Sequence, residues 1–161
     1  LIAAPTGSGK TLAAFLAAGV PVGLGVDGSA SNDSGNLLAE TRQALLLARL
    51  AGSPGLGTGN QMTVRTALEI ATVGGAAVFG RDDIGTLEAG KQADSFTLDL
   101  SRIEYAGALH DPVAASLLAA PTPARHVVVA GNRVIDGGHH VSLDEPAEVE
   151  RHNRLARELV S

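Results

Sequence analysis

A short apolar run, Val20 to Val26 (VPVGLGV), leads directly to the acidic residue Asp27. Turn residues bound the run, a pattern typical of a buried strand. A polar, glycine-rich stretch follows at 28–35, and over 36–50 the apolar residues recur at i, i+3 and i+4 spacing. This spacing predicts an amphipathic helix. A buried strand, a loop and a helix in this order predict an α/β fold.

Asp27 is the candidate catalytic residue of this unit because it lies at the carboxyl end of the predicted strand. In a parallel barrel, catalytic groups collect at that end of the strands. A lone aspartate at such a place can equally cap the next turn, and the residues by themselves leave that alternative open.

Helix signals continue beyond residue 60. Thr63 is a favoured N-cap for a helix that ends at the Gly74–Gly75 pair. Asp111 and Pro112 supply the N-cap and the first residue of another helix, which ends near residue 120. Pro146 opens the last predicted helix.

The sequence pattern changes after Asp83, where residues typical of turns and strands replace residues typical of helices. One strand is predicted at 94–100. Two more, at 126–130 and 133–136, flank Gly131-Asn132 and predict a tight hairpin. The chain therefore divides into three unlike segments: 1–18, 19–80 and 81–161.

Composition excludes several classes of protein. The 161 residues include 27 alanines and 20 glycines but only four aromatic residues, so the core must be aliphatic and no base-stacking nucleic-acid platform is expected. The net charge of −5 argues against nucleic acid and anionic membranes as partners. No cysteine is present, and no apolar run approaches the roughly 20 residues of a membrane span. We therefore expect a soluble, cytoplasmic protein.

Residues 4–11 read APTGSGKT and fit the pattern of a phosphate-binding loop. In such a loop Gly7 and Gly9 would let backbone N–H groups face the phosphates of ATP, Lys10 would neutralise their charge, and Thr11 would ligate Mg²⁺. A helical run that Gly19 stops completes a short strand–loop–helix segment. A second strand that ends in an acid, which a nucleotide site also needs, is missing.

Residues 1–17 resemble motif I of the DEAD/DEAH-type superfamily-2 helicases. This resemblance implies a nucleotide-binding, helicase-like protein as one alternative. Because the acidic partner strand is missing, we expect instead a phosphate loop separated from its domain that does not hold ATP and Mg²⁺.

Residues 19–161 resemble the carboxyl-terminal part of the amidohydrolase superfamily, in its branch of metal-dependent deaminases and chlorohydrolases and nearest to the 8-oxoguanine deaminases. The segments that carry the resemblance are VPVGLGVDGSASNDSGNLLAETRQALLL (20–47), MTVRTALEIATVGGAAVFGRDDIGTLEAGKQAD (62–94), YAGALHDPVAA (105–115) and VVVAGNRVIDGG (127–138). The resemblance implies an incomplete C-terminal part of a TIM-type (β/α)8 barrel, followed by the C-terminal strands of a small β-sandwich. It implies hydrolytic deamination of a purine-like or triazine-like heterocycle, with Zn²⁺ or Fe²⁺ as cofactor, and it leaves a homo-oligomer open.

The resemblance assigns Asp27 the roles of metal ligand and proton shuttle for the attacking water. The family's other ligands are histidines that precede this aspartate, whereas all five histidines of this chain follow residue 109. His139 and His140 are adjacent on a predicted strand, so they point to opposite faces and are poorly placed to share an ion.

Because these ligands are missing and the chain begins at Leu1 within an apolar segment, we expect a piece of a longer protein. As an isolated chain it should be inactive. A non-catalytic fragment or interaction module is therefore a further alternative to the deaminase and the nucleotide-binding protein.

Overall fold

The computed structural model describes residues 15–16, 18–28, 32, 35–50, 62–119 and 122–160, and these fall into two units. The first unit comprises the described residues up to Lys91 together with 100–119. The second comprises Gln92–Asp99 together with the described residues from Thr122 onward. The boundaries of the three segments expected from the sequence stay a prediction.

The first unit is helical. Its elements are α1 (Leu37–Leu50), α2 (Val64–Glu69), a π-helical turn (Ile70–Gly74), α3 (Gly75–Val78), a 3₁₀ turn (Ile103–Tyr105) and α4 (Pro112–Leu118). On α1 the buried residues are Thr41, Leu45 and Ala48, which recur at i, i+4 and i+7 as the sequence spacing predicted. They belong to a core to which α2 and α4 also contribute, and whose other buried members include Met62, Ala67, Ile70 and Leu117.

Side-chain caps begin the three longer helices of this unit. The Asn36 side chain accepts the N–H groups of Leu38 and Ala39 at 3.0 and 3.2 Å. Thr63 accepts the N–H of Thr66 at 3.1 Å, and Asp111 accepts that of Ala114 at 3.0 Å. The last two confirm the caps predicted from the sequence. Each cap satisfies donors that have no partner within the helix.

The predicted helix stop at Gly74–Gly75 is wrong. The helical path continues through both glycines to Val78. It ends instead at Gly80, whose φ is +65°, with the N–H of Gly80 bonded to the Ala77 carbonyl and that of Arg81 to the Ala76 carbonyl. This is the Schellman arrangement of a helix C-terminus. The glycine pair has a different role, which concerns the candidate site.

The second unit holds a four-stranded antiparallel sheet in the order β1-β2-β3-β4. Its strands are β1 (Ser95–Thr97), β2 (His126–Val129), β3 (Asn132–Asp136) and β4 (His139–His140). The predicted hairpin and the predicted strand at 94–100 are thus confirmed, although that strand is shorter than expected.

The hairpin turn lies one residue earlier than predicted. Val129 pairs with Asn132, so the turn residues are Ala130 and Gly131, with φ of +49° and +80°. The neighbouring segment explains the shift, because Asp94 accepts the Ala130 N–H at 2.6 Å and the Ala93 carbonyl accepts the Gly131 N–H at 3.0 Å. Two positive φ angles are the geometry of a type I′ turn.

The last helix, α5 (Glu145–Val160), begins one residue before Pro146, and Asp144 caps it by accepting the Ala147 N–H at 3.1 Å. None of its residues is buried. Neither α5 nor any other helix in the described part of the chain is both long and apolar enough to cross a membrane.

The apolar run at 20–26 joins no sheet among the residues that the structure describes. The buried strand predicted here is therefore not formed within the described part of the chain. Val22 and Leu24 nevertheless pack against the helical core. A strand requires a neighbour for its backbone groups, whereas apolar side chains can be covered by helices alone.

Candidate functional site

Asp27 has a backbone conformation that is uncommon for residues other than glycine. Its φ is +62°, in the left-handed region. Its side chain is exposed and accepts the N–H of Gly28 at 2.8 Å. Aspartate and asparagine enter this region more readily than other non-glycine residues because the short polar side chain can bond to nearby backbone. Such conformations cluster at functional sites.

The segment that leads to Asp27 lies against the helix at 70–78. A Cβ built on Gly74 would overlap the carbonyl oxygen of Val22, and a Cβ on Gly23 would lie 2.8 Å from the Cα of Gly75. Real Cβ atoms essentially never approach other heavy atoms so closely. The two backbones therefore pass at a distance that only glycine permits.

The residues that follow Asp27 are connected to α1. The Asn32 side-chain amide donates to the Glu40 carboxylate at 2.7 Å, and the Asn32 N–H donates to the Gly28 carbonyl at 3.0 Å. Glu40 belongs to the first turn of α1. The chain thus contacts the 70–78 helix four residues before Asp27 and α1 five residues after it.

The residues described in this structure do not complete a metal site. No group of three or more His, Cys, Asp or Glu side chains is close enough together in the described ranges to hold an ion. A catalytic zinc site normally has three protein ligands and an open position. Asp27 could supply one oxygen ligand, and the remaining ligands would have to come from elsewhere.

Four of the five histidines lie in the second unit, where carboxylates contact them. His126 Nδ1 lies 2.9 Å from Asp136 Oδ1, and His152 Nε2 lies 4.0 Å from Glu148 Oε2. A bond from Arg133, reinforced by the one from His126, holds the pKa of Asp136 below its ordinary value. His110, the fifth, is exposed in the first unit beside the helix-capping Asp111.

Glu145 connects β4 to the start of α5. Its Oε1 accepts the backbone N–H of His140 at 2.8 Å, and its Oε2 lies 3.1 Å from Nδ1 of His139. These two bonds, the backbone one first, lower the pKa of Glu145. His139 is exposed and His140 is half-buried. Glu145 thus fixes the edge strand β4 to the first turn of α5.

The predicted nucleotide-binding residues Gly7, Gly9, Lys10 and Thr11 lie outside the described residues, so that hypothesis stays a prediction. Of the helix that follows them, Phe15 and Leu16 are described. The Gly19 N–H bonds to the Leu16 carbonyl at 3.1 Å, and φ of Gly19 is +69°. The predicted stop at Gly19 is confirmed.

Sequence reasoning missed two contributors to the Asp27 region: the Gly74–Gly75 pair and the Asn32–Glu40 bond. The glycine pair did give a signal, because glycine inside a helical pattern can indicate a close backbone approach as well as a helix end. The bond joins residues of a loop and a helix, and no pattern in the sequence indicates it.

Comparison with known proteins gives consistent matches. The model of the amidohydrolase family matches residues 9–136. An 8-oxoguanine deaminase of Pseudomonas aeruginosa is 45% identical over 146 residues, which are 90% of this chain and 31% of that protein.

Two solved structures are similar in fold. The zinc complex of atrazine chlorohydrolase from Arthrobacter aurescens TC1 superposes with a TM-score of 0.74 at 34% identity, covering 89% of this chain and 31% of that one. A zinc-bound adenosine deaminase from Xanthomonas campestris gives 0.75 at 29% identity, covering 91% and 33%. The chain thus spans about a third of the length of these relatives.

Proposed function

This chain belongs to the amidohydrolase family, and we propose that it is the C-terminal part of a hydrolytic deaminase whose catalytic carboxylate is Asp27. The observation that carries the proposal is the 45% identity to an 8-oxoguanine deaminase across 90% of the chain. The left-handed backbone at Asp27 supports the choice of residue.

The proposed substrate is a purine-like or triazine-like heterocycle with an exocyclic amino group. The names of the relatives support this class: one is a deaminase of 8-oxoguanine, one a deaminase of adenosine and one a chlorohydrolase of atrazine. In the reaction water adds to the ring carbon that bears the amino group. The carbon–nitrogen bond then breaks, and ammonia leaves.

Asp27 would move the proton in this reaction. As a carboxylate it can accept a proton from the attacking water, and as a carboxylic acid it can donate that proton to the departing amine. Its exposed side chain leaves room for a substrate at this end of the segment. The Gly28 N–H donates to Oδ1 at 2.8 Å and so orients the carboxylate.

A divalent metal, Zn²⁺ or Fe²⁺, would activate the water in the complete enzyme. Two relatives have been crystallised with zinc. Since the described residues of this chain assemble no set of three ligands, the metal would depend on histidines of another part of the protein. We therefore propose that the isolated chain does not turn over substrate.

A chimeric enzyme tests this proposal. Residues 19–161 would replace the matching part of the Pseudomonas aeruginosa 8-oxoguanine deaminase, and ammonia release from 8-oxoguanine would be measured. We expect turnover, and we expect Asp27→Asn to reduce kcat by about 10²-fold or more. Asp82→Asn, which changes another exposed aspartate of the same unit, should leave it unchanged.

Two results would contradict the proposal: a folded, zinc-loaded chimera without turnover, or full turnover in the Asp27→Asn chimera. The nucleotide-binding alternative has a separate test. ATP with Mg²⁺ should not raise the Tm of the chain, although an excess of one hundred times Kd would stabilise a real binder by about 2.7 kcal/mol. A rise in Tm that Lys10→Ala abolishes would favour that alternative instead.

A further inference from the structure

We infer that Gly74 and Gly23 are positioning residues for Asp27. Their contact packs the segment at 22–23 against the 70–78 helix. We infer that this packing determines the position of the Asp27 carboxylate. The inference rests on the proposed function of Asp27. It adds to that function the part of the fold that places the catalytic group.

The contact is a close approach of two backbones. The Val22 carbonyl oxygen occupies the space that a side chain on Gly74 would need, and the Cα of Gly75 is what a side chain on Gly23 would meet. Each backbone therefore requires glycine at the point where the other crosses it. A methyl group at either place would have to move backbone, because neither obstacle is the end of a flexible side chain.

The helix is irregular at the same point. Residues Ile70–Gly74 form a π-helical turn, while α-helix precedes and follows it. The Thr72 hydroxyl donates to the Leu68 carbonyl at 2.8 Å within this region. Such π-bulges are rare and frequently occur at functional sites. Here the bulge ends at Gly74, the residue that Val22 contacts.

A second glycine supports the helix at another point. Gly85, with φ of +92°, lies so close that a Cβ there would be 3.1 Å from Cβ of Ala76 and 3.2 Å from Cα of Val73. The helical segment that carries Gly74 is thus contacted by the loop at 85 as well as by the segment at 22–23. Contacts at two places, with Gly85 and with the segment at 22–23, hold the 70–78 helix more firmly than either contact would alone.

Asp27 lies four residues beyond Gly23, a span of at most about 13 Å along the chain. A shift of the segment at Gly23 would carry Asp27 with it and disturb the bond between its side chain and the Gly28 N–H. Displacement of a catalytic group by about 1 Å can cost about 10²-fold in rate. The glycine contact is therefore the feature that sets the position of the carboxylate.

The first test uses the unmodified 161-residue chain, isotopically labelled, in solution by NMR. The α-protons of Gly23 and Gly75 should give a nuclear Overhauser effect, because one α-proton of Gly23 takes the Cβ direction and a Cβ there would lie 2.8 Å from the Cα of Gly75. If both residues are assigned and the effect is absent, the inference is wrong. This result does not depend on any variant being able to fold.

The second test uses the Gly28 amide as a reporter of the Asp27 carboxylate. In the unmodified chain its chemical shift reports the hydrogen bond to Asp27 Oδ1, and Asp27→Ala should move that shift because the acceptor is lost. We expect Gly74→Ala and Gly23→Ala to move it in the same direction. The controls are Gly75→Ala and Gly25→Ala, on the same two backbones, where a Cβ meets nothing within 4 Å.

Signals of the helical core distinguish positioning from unfolding. Tyr105 is fully buried in the first unit, and its ring signals should stay dispersed in all four variants. A Gly74→Ala chain that keeps both the Tyr105 signals and the Gly28 amide chemical shift of the unmodified chain overturns the inference. Since turnover is not measured, that outcome leaves the role of Asp27 to be decided by the chimera.

Discussion

At the scale of single residues, the informative positions are those where the backbone leaves its usual range. Asp27 and Ala130 are the two non-glycine residues with positive φ in the described part of the chain. Each is held by a hydrogen bond: Asp27 accepts the N–H of the next residue through its own side chain, and the Ala130 N–H donates to the carboxylate of the distant Asp94. The positive φ of Asp27 supports its proposed functional role, whereas that of Ala130 is required by the hairpin turn between β2 and β3.

Position 130 should accept residues that readily adopt a positive φ better than residues that do not. Asparagine adopts the left-handed conformation more readily than alanine, and Asn-Gly is the favoured pair for a type I′ turn. We therefore expect Ala130→Asn to stabilise the second unit by about 1 kcal/mol. Ala130→Val should destabilise it, because a β-branched side chain is strained there. Amide exchange in β2 and β3 measures both effects, and equal protection in the two variants would contradict the explanation.

Glu145 should make the end of the sheet sensitive to acid. Its pKa is lowered in the folded chain from an ordinary value of 4.5, chiefly by the His140 N–H and then by His139. The stability from these bonds is therefore fully present above about pH 4.5 and is lost as the pH falls through the lower, folded pKa.

The protection factor of the His140 amide, corrected for intrinsic exchange, should fall between pH 5 and about pH 2.5. In a Glu145→Gln chain that part of the pH dependence should disappear. Protection at His140 that is the same at pH 5 and at pH 2.5 would show that the carboxylate does not hold β4.

Among the helices and strands, the helix starts follow local rules, whereas the continuation of the helix through Gly74 and Gly75 does not follow from its own residues. The caps at Asn36, Thr63 and Asp111 each satisfy donors a few residues away. At Gly74 the helix passes against Val22, some fifty residues earlier in the chain, and this contact requires glycine there. Local caps can be identified from the sequence, whereas a distant contact cannot.

The cap at Thr63 should carry measurable stability. Replacing an N-cap threonine by alanine typically costs about 1 kcal/mol, because the donor at Thr66 loses its partner. We expect Thr63→Ala to lower the free energy of unfolding of the first unit by about this amount and Thr63→Ser to restore it. Tyr105 is the single tyrosine of a chain without tryptophan, and the Tyr105 ring is buried. Urea unfolding can therefore be followed by tyrosine fluorescence. A Thr63→Ala chain as stable as the original would contradict the assignment.

At the scale of the whole molecule, the chain covers about a third of the amidohydrolases to which it is similar. The described residues bring no three metal-ligating side chains together, and one carboxylate cannot hold a catalytic metal. We expect the purified chain, supplied with Zn²⁺ or Fe²⁺, to release no ammonia from 8-oxoguanine or an amino-triazine. Turnover that Asp27→Asn abolishes would contradict this expectation and would require ligands from another chain.

The local features of this protein could be predicted from its sequence: the caps at Thr63 and Asp111, the stop at Gly19 and the hairpin between β2 and β3. These depend on side chains and backbone angles within a few residues. Three other features became visible in the folded chain: the passage through Gly74–Gly75, the turn at Ala130–Gly131 and, among the described residues, the absence of a sheet partner for 20–26. Each of the first two involves a contact with a distant segment, Val22 or Asp94. The third could not be predicted because an apolar run does not contain the hydrogen-bond partners of its own backbone.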